Sequence, residues 1–142
     1  DWQQEVLDNL HYNLYTLNQQ KQSNLVKLEH LDWNEVTLSC KKLKKYQPDI
    51  ILLCDTFYNI DTQENLTNIL QYICKINPKC QILSIQKKRV SYAFDNYLQL
   101  IKEKQMKLVQ SIDINEIPFL LQPHQGQHQR RNVFFHTIHH KK

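Results

Sequence analysis

Residues 49–58 read D-I-I-L-L-C-D-T-F-Y, and this stretch decides the fold. An apolar run rich in β-branched residues lies between Asp49 and Asp55. Such a run is typical of a strand that is buried on both faces of a parallel sheet. We therefore predict that residues 49–54 form the central strand of an α/β domain.

The segments on either side of this strand alternate between helical and strand patterns. Apolar residues at helical spacing predict helices over residues 3–18, 35–45, 62–76 and the segment that follows Lys87-Lys88-Arg89. Asp61 and Glu64 have capping-box spacing for the third of these helices. The other predicted strands cover residues 25–31, 81–86, 107–113 and 132–138.

This order of elements predicts a mostly parallel sheet, because strands joined through helices pair in parallel by right-handed crossovers. The last two strands have no helix between them, so we expect them to form an antiparallel pair at one edge. Between them, residues 115–131 contain Pro118, Pro123 and Gly126 and are predicted to form a long loop. Residues 139–142 are predicted to be a solvated tail.

Composition excludes several classes of protein. With 142 residues, the chain has the length of one domain. No apolar run approaches the length of a membrane span, and the net charge of +4 comes from scattered basic residues. We therefore expect a soluble cytoplasmic protein, with the nucleus as the alternative, and neither a membrane nor a nucleic acid as partner.

The cysteines and histidines carry little evidence for a metal site. Cys40, Cys54, Cys74 and Cys80 form no C-x-x-C pair, so we predict buried, reduced thiols. The candidate histidine ligands are His124, His128, His136, His139 and His140. Solvated histidines explain them better than a metal site does, because Pro123 and Gly126 argue against a helix that would bring His124 and His128 together.

Polar and aromatic residues follow the predicted strands at the points where a ligand would bind. In open α/β sheets, ligands bind outside the carboxyl ends of the strands. Asp1 precedes the first helix, Asp32-Trp33 follows residues 25–31, and Asp55 to Tyr58 follow residues 49–54. A carboxylate can accept from ribose hydroxyls and an indole can stack on adenine. The alternatives are a turn or cap role for the carboxylates and ordinary packing for Trp33 and Tyr58.

Three stretches resemble one family. They are D-W-Q-Q-E-V-L-D-N-L-H-Y-N-L-Y-T-L-N at 1–18, L-D-W at 31–33 and P-D-I-I-L-L-C-D-T-F-Y at 48–58. Together they are similar to the seven-β-strand, class I protein-lysine methyltransferases, whose most characteristic element is the D-x-x-Y matched by Asp55 to Tyr58. The C-terminal course, I-N-E-I-P at 114–118 and V-F-F-H-T-I-H-H-K-K at 133–142, is most similar to the branch that modifies valosin-containing-protein-type ATPases.

The resemblance implies transfer of a methyl group from S-adenosylmethionine to a lysine side chain of a protein substrate. Asp55 and Tyr58 are the implied catalytic residues, and Tyr58 would line the channel that admits the lysine. Trp33 would pack on adenine, Asp1 would lie next to the ribose, and Cys54 and Asp55 would lie beside the methionine part of the cofactor. The implied cofactor-binding set is Asp1, Asp32, Trp33, Cys54 and Asp55.

A single glycine, Gly126, is the main departure from that family. Nucleotide sites of α/β proteins use a glycine-rich first turn, because glycine lets the backbone approach the ligand closely. Either the chain is not such a binder, or the turn lies upstream of Asp1. The resemblance favours the second possibility and implies that residues 1–142 are the C-terminal part of a single methyltransferase domain, with its N-terminal strand or strands missing. We then expect the isolated chain to bind S-adenosylmethionine poorly and to be inactive.

Two other functions stay open at this point. One is a methyltransferase-like binding module without catalysis, since the chain keeps D-x-x-Y but has no glycine-rich turn. The other is a methyltransferase that acts on another substrate class. Enzymes that modify flipped bases usually have an N/D-P-P-Y element after the corresponding strand, whereas residues 55–58 read D-T-F-Y, and this difference favours a protein substrate.

Overall fold

The computed structural model describes residues 4–21, 27–113 and 133–140. Within these ranges the chain forms an α/β fold. The helices are α1 (Gln4–Lys21), α2 (Val36–Tyr46), α3 (Ile60–Ile76) and α4 (Ser91–Glu103). The strands are β1 (Ile50–Cys54), β2 (Gln81–Lys87), β3 (Met106–Asp113) and β4 (Val133–His140).

The strands form a mixed sheet in the order β1-β2-β4-β3. β1 and β2 are parallel, and β4 is antiparallel to both β2 and β3. Consequently β1, β2 and β3 all run in the same direction. The predicted antiparallel pair at the C-terminal end is confirmed, with β3 at the edge and an irregularity between Leu108 and Gln110. This topology is consistent with a Rossmann-like methyltransferase fold.

β1 is an edge strand of the described sheet, so our prediction of a central strand was wrong. Leu53 is buried, but Ile50 and Leu52 are 57% and 71% exposed. The described strands provide one neighbour for β1, and the packed helices cover only the face to which Leu53 points. The apolar run indicates a strand correctly, because apolar β-branched residues favour extended backbone. It does not reveal which face is covered.

The strand predicted at 25–31 is not found at residues 27–31, which have no regular secondary structure; residues 25 and 26 lie outside the described ranges. One backbone group of this segment bonds to a side chain of α2. The His30 carbonyl accepts a hydrogen bond from Lys42 Nζ in α2 at 2.7 Å. The alternation of polar and apolar residues was therefore not sufficient to predict a strand, because a strand also needs the edge of a neighbouring strand with which to pair.

Several element ends differ from the predictions. β4 continues through His139 and His140, which pair with Lys107 and Met106 of β3, so these two histidines are not part of a tail. The pairing edge of β3 stabilises two further residues of extended backbone there. The predicted loop at 115–131 and the last two lysines lie outside the described residues.

The core lies between one face of the sheet and helices α3 and α4. Its fully buried members include Ile82 of β2, Tyr97 of α4 and Ile138 of β4. A second cluster, Ile69, Ile73 and Cys80, joins α3 to α2. The predicted helix at the start of the chain is present as α1, but two residues of its apolar stripe, Leu10 and Leu17, remain exposed.

All four cysteines are free, and three of them are at least partly buried, as predicted. Burial raises the pKa of the Cys74 thiol to about 11, with a smaller contribution from Cys80. Cys54 is the exception, because it lies exposed at the end of β1. No helix in the described part of the chain is long and apolar enough to cross a membrane.

Candidate functional site

Two neighbouring cavities open at the carboxyl ends of β1 and β2. The first, which we call the Trp33 cavity, has a volume of about 300 Å³ and is lined by residues that include Asp32, Trp33, Cys54, Asp55 and Tyr58. The second, the Tyr97 cavity, has a volume of about 430 Å³ and is lined by residues that include Asp55, Tyr58, Gln86, Arg89, Phe94 and Tyr97. Asp55 and Tyr58 line both cavities, so the D-x-x-Y segment forms a shared wall.

The structure therefore brings together the site residues that lie in its described part. Five of the six candidates line the Trp33 cavity, and Asp1 lies outside the described residues. Cys54 to Tyr58 reach the carboxyl edge of the sheet because they end and follow β1. Asp32 and Trp33 do not follow a strand; they reach the same edge through the turn that leads into α2. The roles that the family resemblance implies for these residues stay predictions.

Trp33 combines packing with exposure to the cavity. It is partly buried and contacts both apolar clusters of the core. The same side chain lines the Trp33 cavity. Packing therefore fixes the indole beside a space that a ligand can enter, so the two interpretations of Trp33 are compatible.

Asp32 has a structural role in addition to its position in the cavity. Its Oδ1 accepts a hydrogen bond from the Asn34 backbone N–H at 2.8 Å. Its carbonyl accepts from Ser39 Oγ at 2.6 Å and from the Glu35 N–H at 3.2 Å. Asp32 thus holds the turn that leads into α2, and this turn places Trp33.

Asp55 lies in a left-handed backbone conformation, with φ of 51°. Such a conformation is uncommon for residues other than glycine, although aspartate tolerates it better than most. Its N–H donates to the Ile85 carbonyl at 2.7 Å, which ties the end of β1 to β2. Its carboxylate forms an ion pair with Arg89, and this hydrogen bond raises the pKa of the Arg89 guanidinium. Arg89 therefore remains a cation beside the shared wall.

Tyr58 is 66% exposed although it lines both cavities. Ordinary packing was the alternative for Tyr58, and this exposure argues against it. Little packing holds the Tyr58 side chain in place. Its position depends on the backbone of the segment that carries it.

Sequence reasoning missed the polar side chains that hold this segment. Phe57 N–H donates to Gln86 Oε1 at 3.2 Å, and Phe57 carbonyl accepts from Gln63 Nε2 at 2.7 Å. Gln86 Nε2 also donates to Ser84 Oγ at 2.7 Å and to Thr56 Oγ1 at 3.3 Å. A clue was present in the strand pattern, because Ser84 and Gln86 lie two and four residues after Ile82 and therefore on the same face of β2 as this apolar residue.

His136 is buried beside the Tyr97 cavity and does not behave as a solvated histidine. Its Nδ1 lies 2.9 Å from Tyr97 Oη, and burial lowers its pKa to about 4. The imidazole is therefore neutral at pH 7. Within the described residues no group of three or more histidine, cysteine or acidic side chains could hold a metal ion. His124 and His128 lie outside these residues.

Comparison with known protein families finds a match, and it covers the part of the chain that forms the two cavities. The sequence model of a family described as lysine methyltransferase matches residues 1–104. No curated protein matches the chain. The matched range contains all the residues that line the two cavities, whereas β3 and β4 follow it in the sequence.

Proposed function

We propose that this chain, which belongs to the lysine methyltransferase family, supplies the nucleoside side and the acceptor side of the active site of an S-adenosylmethionine-dependent protein-lysine N-methyltransferase. One observation carries the proposal: Asp55 and Tyr58 form the wall shared by two adjoining cavities. Direct transfer between two bound molecules requires that their reacting atoms meet, so adjoining sites suit it.

The residues of the Trp33 cavity fit the nucleoside half of the cofactor. The indole offers an aromatic face for adenine, and the carboxylates of Asp32 and Asp55 offer acceptors for amino and hydroxyl groups. The volume lies at the lower end of the roughly 300–1,000 Å³ of small-molecule sites. When bound, S-adenosylmethionine supplies a methyl group on a positively charged sulfur. Gly126 is the one glycine of the chain, so these 142 residues do not supply a glycine-rich turn for the rest of the cofactor.

The Tyr97 cavity suits the side chain of an acceptor lysine. Phe57, Ala93, Phe94 and Tyr97 give it apolar walls that can contact the alkyl stem. The nucleophile must be the neutral amine. Apolar surroundings disfavour the ammonium form and so lower the pKa of a lysine that enters.

Arg89 limits the opposite effect of the nearby carboxylate. An isolated Asp55 carboxylate would favour the ammonium form of the acceptor. Because Asp55 is paired with Arg89, the guanidinium offsets that charge. Asp55 then remains available to orient N–H groups of the acceptor, and the exposed Tyr58 hydroxyl can share this role.

A protein is the acceptor that the chain supports best. The description of the matched family and the absence of proline from D-T-F-Y both favour lysine over a nucleic-acid base. The similarity of residues 133–142 to the branch that modifies valosin-containing-protein-type ATPases makes such an ATPase the first acceptor to test. We place the reaction in the cytoplasm, with the nucleus as the alternative.

The test measures transfer of a radiolabelled methyl group from S-adenosylmethionine to proteins of a cell extract. It uses the natural full-length protein that contains these residues, as wild type, Asp55→Ala and Tyr58→Phe. We expect Asp55→Ala to lower kcat about 100-fold and Tyr58→Phe about 10-fold, because loss of alignment by about 1 Å costs on the order of 100-fold.

Two variants serve as matched controls. Asp95→Ala removes another exposed carboxylate that pairs with a basic neighbour, Lys88. Tyr92→Phe changes another exposed tyrosine, which is 65% exposed. Neither residue lines either cavity, so both variants should match wild type. Equal activity in all five proteins would remove the site assignment, and cofactor binding without lysine methylation by the wild type would favour a binding module instead.

A further inference from the structure

The segment between Asp55 and Tyr58 has no regular secondary structure, yet its middle residue is buried. Phe57 is 5% exposed, and its ring lies 4.2 Å from the Tyr97 ring between centroids. A buried backbone outside helices and sheets still needs hydrogen-bond partners. Side chains provide them here, since Gln86 accepts from the Phe57 N–H and Gln63 donates to the Phe57 carbonyl.

Both the oxygen and the amino group of the Gln86 side-chain amide form hydrogen bonds. The residue is 2% exposed and extends from the end of β2. Its carbonyl oxygen binds Phe57, and its amino group donates to Ser84 and Thr56. Gln86 thus connects two consecutive residues of the segment to the sheet.

Gln63 makes the corresponding connection to the helices. It is 1% exposed in the first turns of α3, and its Nε2 donates both to Phe57 and, at 3.0 Å, to the Ala93 carbonyl of α4. Its Oε1 accepts from Asn96 Nδ2 at 2.8 Å. The segment, α3 and α4 are therefore joined through one neutral side chain. A carboxylate here could not donate to either carbonyl.

We propose that Gln63 and Gln86 are positioning residues, which act through Phe57 to hold Asp55 and Tyr58 in the wall between the two cavities. This inference rests on the proposed function. Gln63 gives the cleaner test because it lines neither cavity, so its effect on turnover must pass through the groups that it holds, which are the Phe57 carbonyl and two groups of α4. Amide exchange of residues 55–58 then shows whether the segment itself is released. Gln86 lines the Tyr97 cavity and could also contact an acceptor.

The experiment compares wild type, Gln63→Met and Thr67→Val in the natural full-length protein. Methionine retains much of the shape of glutamine but cannot form its hydrogen bonds. Thr67 is the matched control, since it is also fully buried in α3 and its hydroxyl donates at 2.6 Å to the backbone carbonyl of Gln63. Thr67→Val therefore removes a buried hydrogen bond from the same helix without touching the segment.

Three readouts separate positioning from general destabilisation. In Gln63→Met we expect amide exchange of the segment 55–58 to accelerate by at least about 10-fold, because local opening governs exchange. We also expect kcat to fall about 10- to 100-fold. The KM for S-adenosylmethionine should rise by a smaller factor than kcat falls, because Trp33 and Asp32 are untouched whereas Asp55 lines both cavities. Thr67→Val should keep the wild-type values of all three quantities, even with a lower Tm.

The other possible outcomes tell a failure of the positioning role apart from a failure of the proposed function. Wild-type exchange and kcat in folded Gln63→Met would overturn the positioning role. If the wild type transfers no methyl group, the proposed function fails, while the exchange measurement still tests how the segment is held. If Gln63→Met does not fold, Ser84→Ala is the milder substitute. It removes one of the two acceptors of the Gln86 amino group, together with the contact of Ser84 with the Tyr97 hydroxyl, and unchanged exchange of residues 55–58 in that variant would equally overturn the proposal.

Discussion

At the scale of single residues, His136 is enclosed by aromatic side chains. Its ring centroid lies 5.5 Å from that of Tyr97 and 5.7 Å from that of Phe94, and its side chain has no solvent exposure. Nδ1 has Tyr97 as its partner, whereas Nε2 has no hydrogen-bond partner within the described residues. A charged imidazole would be costly in this position, because burial disfavours the charged form.

We predict that the free energy of unfolding decreases as the pH falls from about 6.5 towards 4. Burial lowers the pKa of folded His136 to about 4 from the ordinary value of 6.5, so between these values the unfolded chain binds a proton that the folded chain does not. The stability that comes from the neutral imidazole is complete above pH 6.5 and is lost as the pH falls to the folded-state pKa. The whole effect is of the order of 3 kcal/mol.

Urea unfolding at several pH values between 7.5 and 4.5 checks this prediction. His136→Phe should show a weaker pH dependence than wild type in the same window, although its stability at pH 7.5 is also altered by the loss of the Tyr97 hydrogen bond. His30→Gln, which changes an exposed histidine, should keep the wild-type dependence. Parallel pH curves for wild type and His136→Phe would refute the prediction.

At the scale of elements, the start of α3 shows how a local motif can place a helix wrongly by a few residues. The capping-box spacing of Asp61 and Glu64 predicted a start near residue 62, but α3 begins at Ile60. Asn59 is the N-cap, and its Oδ1 accepts from the Asp61 N–H at 3.0 Å. Asn59 provides an acceptor for one of the first N–H groups of the helix, so α3 starts about two residues earlier than predicted, directly after Asn59.

We predict that Asn59→Ala lowers the free energy of unfolding by about 1 kcal/mol, because an N-cap side chain typically contributes this amount. Asn59→Asp is the matched variant. It keeps an acceptor at the same position and adds a negative charge at the positive end of the helix dipole, so it should be at least as stable as wild type. Chemical denaturation of the three proteins provides the measurement. Equal stability of Asn59→Ala and wild type would contradict the assignment of the cap.

At the scale of the whole molecule, the described helices α3 and α4 cover only one face of the sheet. Leu52, Ile85 and Val109 are exposed by 71%, 39% and 52%. Ile50 of the edge strand β1 is exposed as well. Apolar side chains and an unpaired strand edge are unfavourable in water, so the described sheet has a face and an edge that would gain from further cover.

We predict that residues 1–142, prepared as an isolated chain, bind S-adenosylmethionine with a Kd weaker than micromolar. These residues contain one glycine and therefore cannot form the glycine-rich turn that holds the rest of such a ligand. Isothermal titration calorimetry measures the affinity, with the natural full-length protein as the comparison. Micromolar binding by the isolated chain would show that the Trp33 cavity alone is sufficient.

Much of this architecture follows from the sequence alone. The patterns at 49–54, 81–86, 107–113 and 132–138 each correspond to a strand of the structure, and every predicted end lies within about two residues of the observed one. Local periodicity reveals an element because side-chain direction repeats with a fixed period. The meeting of Trp33 with Asp55 and Tyr58 was also predicted, from the rule that strand ends converge in an open α/β sheet. The rule holds for Asp55 and Tyr58 after β1, but Trp33 follows a segment that is not a strand, and the turn into α2 places it.

Only the tertiary structure decided which neighbours each element has. Residues 25–31 and 49–54 were expected to lie inside the sheet, but residues 27–31 are not extended and β1 is at the edge of the described sheet. The bonds that hold Phe57 come from Gln63 and Gln86, and Gln86 is 29 residues distant in the chain. Sequence patterns report local backbone preference and the average burial of a face. Pairing edges and the partners of a buried amide are instead determined by contacts between distant segments, which no local pattern contains.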